Sequence, residues 1–266
     1  MPELAEVETI RLQLEKSILN QKVKRVIVYD KRIIKDIKEN DFKRHIEGKR
    51  IIKIFRRGKI LIVKINEGFL VFHLRISGWL LLSEKEEKFS RVIFELSNNK
   101  KLNFCDSRIL GEIRFVKDWH TLSIIKTMGP EPLEITKEEF AKLFQGKKTK
   151  IKPLLMDQSF IAGVGNVYAQ ESLFCGGIHP ERRADTLSNN ELEKFYNCLV
   201  SILKQAIKKG GSSVDTYRQI DGKEGEYTPF LKVYQREGKP CYRCKATIKR
   251  KVIGGRSTYF CLRCQK

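Results

Sequence analysis

The chain has 266 residues, 41% of them hydrophobic, enough to bury a sizeable core as one large domain or two modest ones. Lysine and arginine total 53 against 32 acids, and the formal net charge of +21 exceeds what solubility requires and suits a polyanionic partner, nucleic acid first. No apolar run reaches the roughly 18 to 20 residues of a membrane span, and acids stand where a signal peptide carries bases, so a membrane partner is excluded and a cytosolic protein is expected.

Val7, Ile10, Leu14 and Ile18 recur at three- and four-residue steps, which predicts a first helix with one buried face starting near residue 3. From residue 22 to about 116 the pattern changes to short runs rich in Val, Ile and Phe, at 23–29, 51–55, 60–65 and 69–74, which read as strands. Residues 91–96 alternate, Asn98 and Asn99 offer a turn, and 101–105 complete a hairpin. A β-sandwich or barrel of about eight strands is expected.

Gly129, Pro130 and Pro132 interrupt the chain, after which Thr136 and Glu139 form a capping box for a helix through Phe144. Residues 151–156 and 166–174 predict two shorter helices joined at Ala162-Gly163-Val164-Gly165. Ser188 and Glu191 repeat the capping signature ahead of a long stripe, Leu192, Phe195, Leu199, Ile202, Leu203, Ala206 and Ile207, that stops at Gly210-Gly211.

The last 35 residues carry 11 Lys or Arg against one acid, Glu237, about half of the whole charge excess. Four of the seven cysteines fall in the last 26 residues. Cys241-x2-Cys244 and Cys261-x2-Cys264, 16 residues apart, have the spacing of two knuckles that hold one tetrahedral zinc, and so small a ribbon needs the metal to fold. With all four positions filled by sulfur, the zinc is structural. Arg256 falls near the tip between the knuckles, where a guanidinium can grip phosphate. Cys105, Cys175 and Cys198 read as ordinary buried thiols.

Met1 precedes Pro2, and a small second residue permits removal of the initiator, leaving a secondary amine. An α-amino group titrates near 7.7 to 8.0, roughly, so part of it is unprotonated and nucleophilic at neutral pH. Glu3 and Glu6 follow at once. Alone, a proline and acids in a first helical turn are also what capping favours.

Met1-Pro2-Glu3-Leu4-Ala5-Glu6-Val7-Glu8, His73-Leu74-Arg75-Ile76-Ser77-Gly78, Gly129-Pro130-Glu131-Pro132-Leu133 and Gly163-Val164-Gly165-Asn166 together resemble the formamidopyrimidine-DNA glycosylase and endonuclease VIII family over essentially the whole chain. The resemblance implies an α+β multidomain protein. Residues 1–132 would be a catalytic N-terminal helix plus β-sandwich, 133–231 a helical domain with a helix-two-turns-helix element, and 232–266 a four-cysteine zinc ribbon. It implies action on damaged double-stranded DNA in a bacterial cytoplasm, beside the nucleoid, and a monomer is the default expectation. Leu4 matches the branch opening Pro-Glu-Leu, which implies oxidised purines as substrates.

The implied chemistry is attack by Pro2 on the sugar carbon bearing the base, base loss, a Schiff base and strand cleavage by elimination. Glu3 would move protons, Glu6 would shape the pocket, and Lys59 would donate a proton in elimination or contact phosphate. His73, Lys152, Asn166 and Arg256 are the implied DNA ligands. Ile76, Arg108 and Leu110 match the positions that fill the space left by the flipped base. Thr216 to Thr228 correspond to the mobile loop that covers that base.

The sequence departs from the pattern at five residues. Ile76 stands where purine-lesion members carry Met, and Asp106-Ser107-Arg108-Ile109-Leu110-Gly111 replaces Asp-Pro-Arg-Arg-Phe-Gly, without the aromatic wedge. Ala5 replaces a second proline. Two rival readings follow: the same chemistry on oxidised pyrimidines or hydantoin-type lesions, and a noncatalytic zinc-ribbon DNA-binding protein.

Overall fold

The computed structural model describes residues 2–214 and 217–266. Met1, whose removal the sequence predicts, and Thr216, at the start of the expected covering loop, lie outside the described residues. The chain divides into two compact units, Met1–Lys126 with Ala206–Thr228 and Thr127–Gln205 with Pro229–Lys266.

In the first unit, helix α1 (Leu4–Ile18) precedes β1 (Val23–Val28), β2 (Ile34–Lys35), helix α2 (Glu39–Ile46) and β3 (Ile51–Arg57). The strands β4 (Ile60–Ile65), β5 (Gly68–His73), β6 (Gly78–Ser83), β7 (Ser90–Leu96), β8 (Lys101–Asp106) and β9 (Glu112–Val116) follow, then the single turn α3 (Ser123–Lys126). They form a four-stranded sheet in the order β1-β7-β8-β6 and a five-stranded sheet in the order β2-β9-β5-β4-β3. All pairings are antiparallel except the short β2–β9 ladder.

The apolar stripe of α1 explains its place: Val7, Ile10, Leu14 and Ile18 are fully buried and join Leu61, Val63, Phe94 and Phe104 from the two sheets in one cluster. Each such side chain contributes on the order of 1.5 to 3 kcal/mol on burial. That fixes the helix and therefore its first turn. Helix α2 was not legible in the sequence, because Phe42 and Ile46 are its only buried apolar residues.

The second unit contains α4 (Lys137–Leu143), α5 (Ile151–Met156), α6 (Asn166–Gly176) and most of α7 (Asn189–Lys208). Thr136 caps α4 with its Oγ1 accepting from the Glu139 amide at 3.2 Å, and Ser188 does the same for the Glu191 amide ahead of α7 at 3.3 Å. The turn between α5 and α6 is tied by Gln158, which accepts from Gly163 N–H and donates to the Val164 carbonyl at 2.9 Å each. Gly129 donates to the Gln158 carbonyl at 2.8 Å, and a Cβ there would lie 2.5 Å from Phe160 backbone, so the approach needs glycine.

One expectation is corrected. Cys175 and Cys198 are not separate thiols but a disulfide joining the end of α6 to α7, with Cα atoms 5.8 Å apart. A separation of 23 residues in sequence hides that the two helices present them to each other. Cys105 is a free, buried thiol, as expected.

The C-terminal ribbon is the hairpin β10 (Lys249–Ile253) and β11 (Arg256–Phe260), closed by Gly254-Gly255, both at positive φ as a tight two-residue turn requires. No helix among the described residues is long and apolar enough to cross a membrane.

Candidate active site and nucleic-acid interface

Pro2, Glu3 and Glu6 lie together at the start of α1, all buried, with Glu3 3% and Glu6 2% exposed. Glu3 caps the helix in an extended conformation, and its amide donates to Glu6 Oε2 at 2.8 Å. The other Glu6 oxygen accepts from the Ser212 amide at 2.8 Å and its hydroxyl at 3.1 Å. Glu6 thus holds the first turn to a segment 206 residues away, and both its oxygens have ordinary hydrogen-bond donors.

That segment is shaped for the contact. Gly211 has φ of +84°, and a Cβ would lie 3.0 Å from Glu6 Cγ and 3.0 Å from the Tyr217 ring. Tyr217 is buried, its hydroxyl donates to the Gly210 carbonyl at 3.1 Å, and burial beside the Glu6 carboxylate pushes its pKa well above the ordinary value. Of the expected covering loop, Tyr217 and Ile220 belong to the core, Leu82 N–H donates to the Ile220 carbonyl at 2.7 Å, and the stretch 221–224 is exposed. Among its described residues the exposed crest closes on Gln219, whose amide donates to the Lys223 carbonyl at 2.9 Å.

Lys59 follows Gly58 (φ +56°) in the tight β3–β4 turn and is 8% exposed. His73 pairs with Ile60, the next residue of that turn, across the β4–β5 ladder. Burial, then the charge of Arg75, push the His73 pKa down to about 4, and its Nδ1 is buried with no hydrogen-bond partner among the described residues. His73 is therefore neutral at physiological pH, a hydrogen-bonding group rather than a cation.

The turns after β5 and β8 carry the remaining candidates of this unit. Ile76 and Leu110 are exposed apolar tips, 40% and 43% accessible, and Arg108 is exposed in the same turn as Leu110. Ile109, by contrast, packs on the core with φ of +59°.

In the second unit, three further candidates gather on the hairpin. Asn166 Nδ2 donates to the Ser257 carbonyl at 3.3 Å, next to the exposed Arg256. Gln170 reinforces this, donating to Asn166 Oδ1 at 2.9 Å and accepting from the Tyr259 amide at 2.6 Å. Lys152 is fully buried and its Nζ donates to the Ile253 carbonyl at 3.4 Å, so its charge lies behind the Gly254-Gly255 turn rather than at the surface.

The four cysteine sulfurs lie within 4.8 Å of one another, with Cys241–Cys264 at 3.8 Å and Cys244–Cys261 at 3.5 Å. Tetrahedral zinc at 2.3 Å from each sulfur needs edges of about 3.8 Å. The set fits, and the two knuckles share one design: Lys245 N–H donates to the Cys241 carbonyl and Gln265 N–H to the Cys261 carbonyl, each at 3.0 Å. These cysteines hold one structural zinc.

Sequence reasoning missed Glu171. This carboxylate is buried in α6 and accepts the amides of Lys232 at 2.8 Å, Val233 at 3.0 Å and Tyr234 at 2.8 Å, fastening the turn that leads into the ribbon. Burial raises its pKa. A glutamate inside the helical stripe of α6 was the available signal.

Comparison with known proteins places this geometry. Residues 1–113 match the model of the formamidopyrimidine-DNA glycosylase N-terminal domain, 128–218 that of its H2TH domain, and 238–266 the zinc finger found in FPG and IleRS. The chain is similar to formamidopyrimidine-DNA glycosylase of Pelotomaculum thermopropionicum, 41% identical over 100% of this chain and 99% of that one. Among solved structures it resembles a Lactococcus lactis FPG mutant in complex with Fapy-dG containing DNA, with TM-score 0.92, 34% identity and full coverage of both chains. It also resembles the Lactococcus lactis Fpg bound to abasic site containing DNA, with TM-score 0.92, 33% identity and 99% coverage of each.

Proposed function

Because the chain belongs to the formamidopyrimidine-DNA glycosylase family, we propose that Pro2, once Met1 is removed, is the nucleophile with which it excises oxidised purines. The protein is a DNA glycosylase of base excision repair, and damaged DNA is its partner. It works as a monomer, in a bacterial cytoplasm beside the nucleoid, in keeping with its bacterial relatives.

The observation that carries this reading is the buried first turn of α1, which Glu6 pins to Ser212 with Pro2 and Glu3 beside it. The proline nitrogen attacks the sugar carbon, the damaged base departs, and the resulting imine activates the neighbouring sugar proton for elimination. Glu3 protonates the ring oxygen and later removes and returns protons, a contribution of typically about 100- to 10,000-fold. Glu6 keeps the turn in place. Lys59, at the strand turn, supplies a positive charge to the phosphate beside the lesion or a proton to the leaving strand. Arg256 and Asn166 hold phosphates without reading sequence, and Lys152 adds its field from behind the hairpin.

Zinc supplies no chemistry here. With four sulfur ligands it has no open position, so its work is to hold the hairpin that presents Arg256.

A second substrate reading, oxidised pyrimidines or hydantoins, is favoured by one observation: the exposed tips are Ile76 and Leu110, and neither is aromatic. Excision rates on duplexes carrying 8-oxoguanine, formamidopyrimidine, oxidised thymine and hydantoin lesions separate the two. Faster release of the purine lesions supports the proposal. Release of pyrimidine lesions alone would overturn it.

A further inference from the structure

The two wedge-bearing turns share one anchor, the aspartate that opens the Asp106-to-Gly111 block. Asp106 ends β8, is completely buried, and its carboxylate accepts five hydrogen bonds. Its Oδ1 takes the Ser77 hydroxyl at 2.6 Å and the amides of Arg108 and Ile109 at 3.0 Å each. Its Oδ2 takes the amides of Leu110 at 2.8 Å and Gly111 at 2.6 Å.

The donors come from two turns. One, from Leu74 to Gly78, closes with Gly78 N–H on the Leu74 carbonyl at 2.9 Å and carries Ile76 at its crest. The other, from Ser107 to Gly111, carries Arg108 and Leu110. Gly78 and Asp106 are direct partners in the β6–β8 ladder, so the carboxylate sits at the root of both. The second turn also needs help to exist. Ile109 is a β-branched residue at φ +59°, a costly conformation, and a Cβ on Gly111 would lie 2.6 Å from the Phe104 ring. Four amides aimed at one carboxylate hold that turn closed.

We infer that Asp106 is a positioning residue of the wedge: its carboxylate holds the Ile76 turn and the Arg108–Leu110 turn as one preset unit, so that both apolar tips enter the duplex together. The inference rests on the proposed role of Ile76 and Leu110 as void fillers. Only a carboxylate does this, because it is acceptor-only at both oxygens. An asparagine of the same shape turns a donor toward amides that are themselves donors.

Three measurements on the full-length zinc-loaded protein test it. Hydrogen exchange of the free protein comes first: in Asp106→Asn the Leu110 and Gly111 amides should exchange at least about tenfold faster than in the wild type. Excision of a lesion from duplex should fall about tenfold or more, while cleavage of a preformed abasic site in a single strand, which needs no base extrusion, stays within about threefold. Ser77→Ala, a milder change that frees only the Ile76 turn, should show the same duplex-selective loss at smaller size, and it carries the test should Asp106→Asn not fold. Unchanged exchange, or equal losses on both substrates, overturns the inference. Leu110→Ala separates the two claims: if it leaves duplex excision intact, the wedge role fails, and the inference that depends on it falls with it whatever the exchange shows.

Discussion

Replacing His73 by glutamine should make the protein more resistant to mild acid. In the folded protein the His73 pKa falls from 6.5 to about 4, first through burial, then through Arg75 and, more weakly, Lys59 and Arg114, against the opposing pull of Glu112. Between these two values the unfolded chain binds a proton that the folded one does not, so stability rises with pH across this window and is lost as pH falls through it. Fully developed, below about pH 4, the penalty is about 3 kcal/mol. From about pH 7.5 to about pH 5.5 it reaches about 1.3 kcal/mol, in a range where zinc thiolates still hold their metal. Urea unfolding of the wild type and His73→Gln at both pH values measures it. The wild type should lose about 1.3 kcal/mol more than the variant over this step. Parallel losses would refute the reasoning and put a proton on His73 in the native state.

Two further outcomes follow from the second unit. Glu171→Ala leaves one buried and two part-buried amides without an acceptor and should cost at least about 2 kcal/mol, read by thermal unfolding and by faster zinc release; a loss under about 0.5 kcal/mol would mean that the segment into the ribbon is held by other contacts. Chelation of zinc, or Cys244→Ser, should unfold the ribbon and weaken DNA binding while leaving the β-sandwich signal intact, as followed by circular dichroism and fluorescence anisotropy; undiminished affinity would remove the ribbon and Arg256 from the interface.

Legibility divides along the range of the interactions. The first helix, the paired capping boxes ahead of α4 and α7, and the cysteine knuckles are local patterns, and each is found where its spacing places it. The candidate residues at the head of α1 were also legible, through the opening block that carries the family resemblance. What holds them was not, because Glu6 meets Ser212 across 206 residues and no periodicity records that contact. The same holds for Asp106, whose donors come from two different turns, for Glu171, whose three amides lie 61 to 63 residues downstream, and for the pairing of Cys175 with Cys198. Lys152 shows the converse: its position in sequence was noted, but only the fold reveals that its side chain is enclosed behind the hairpin.

The most direct test is chemical capture of the enzyme on its substrate. Borohydride reduction during reaction with duplex containing 8-oxoguanine should yield a covalent protein–DNA adduct that peptide mapping assigns to Pro2 at the head of the mature chain, and that Pro2→Gly and Glu3→Gln diminish. An adduct mapped to Lys59 or another lysine, or full activity in protein that still carries Met1, would contradict the account.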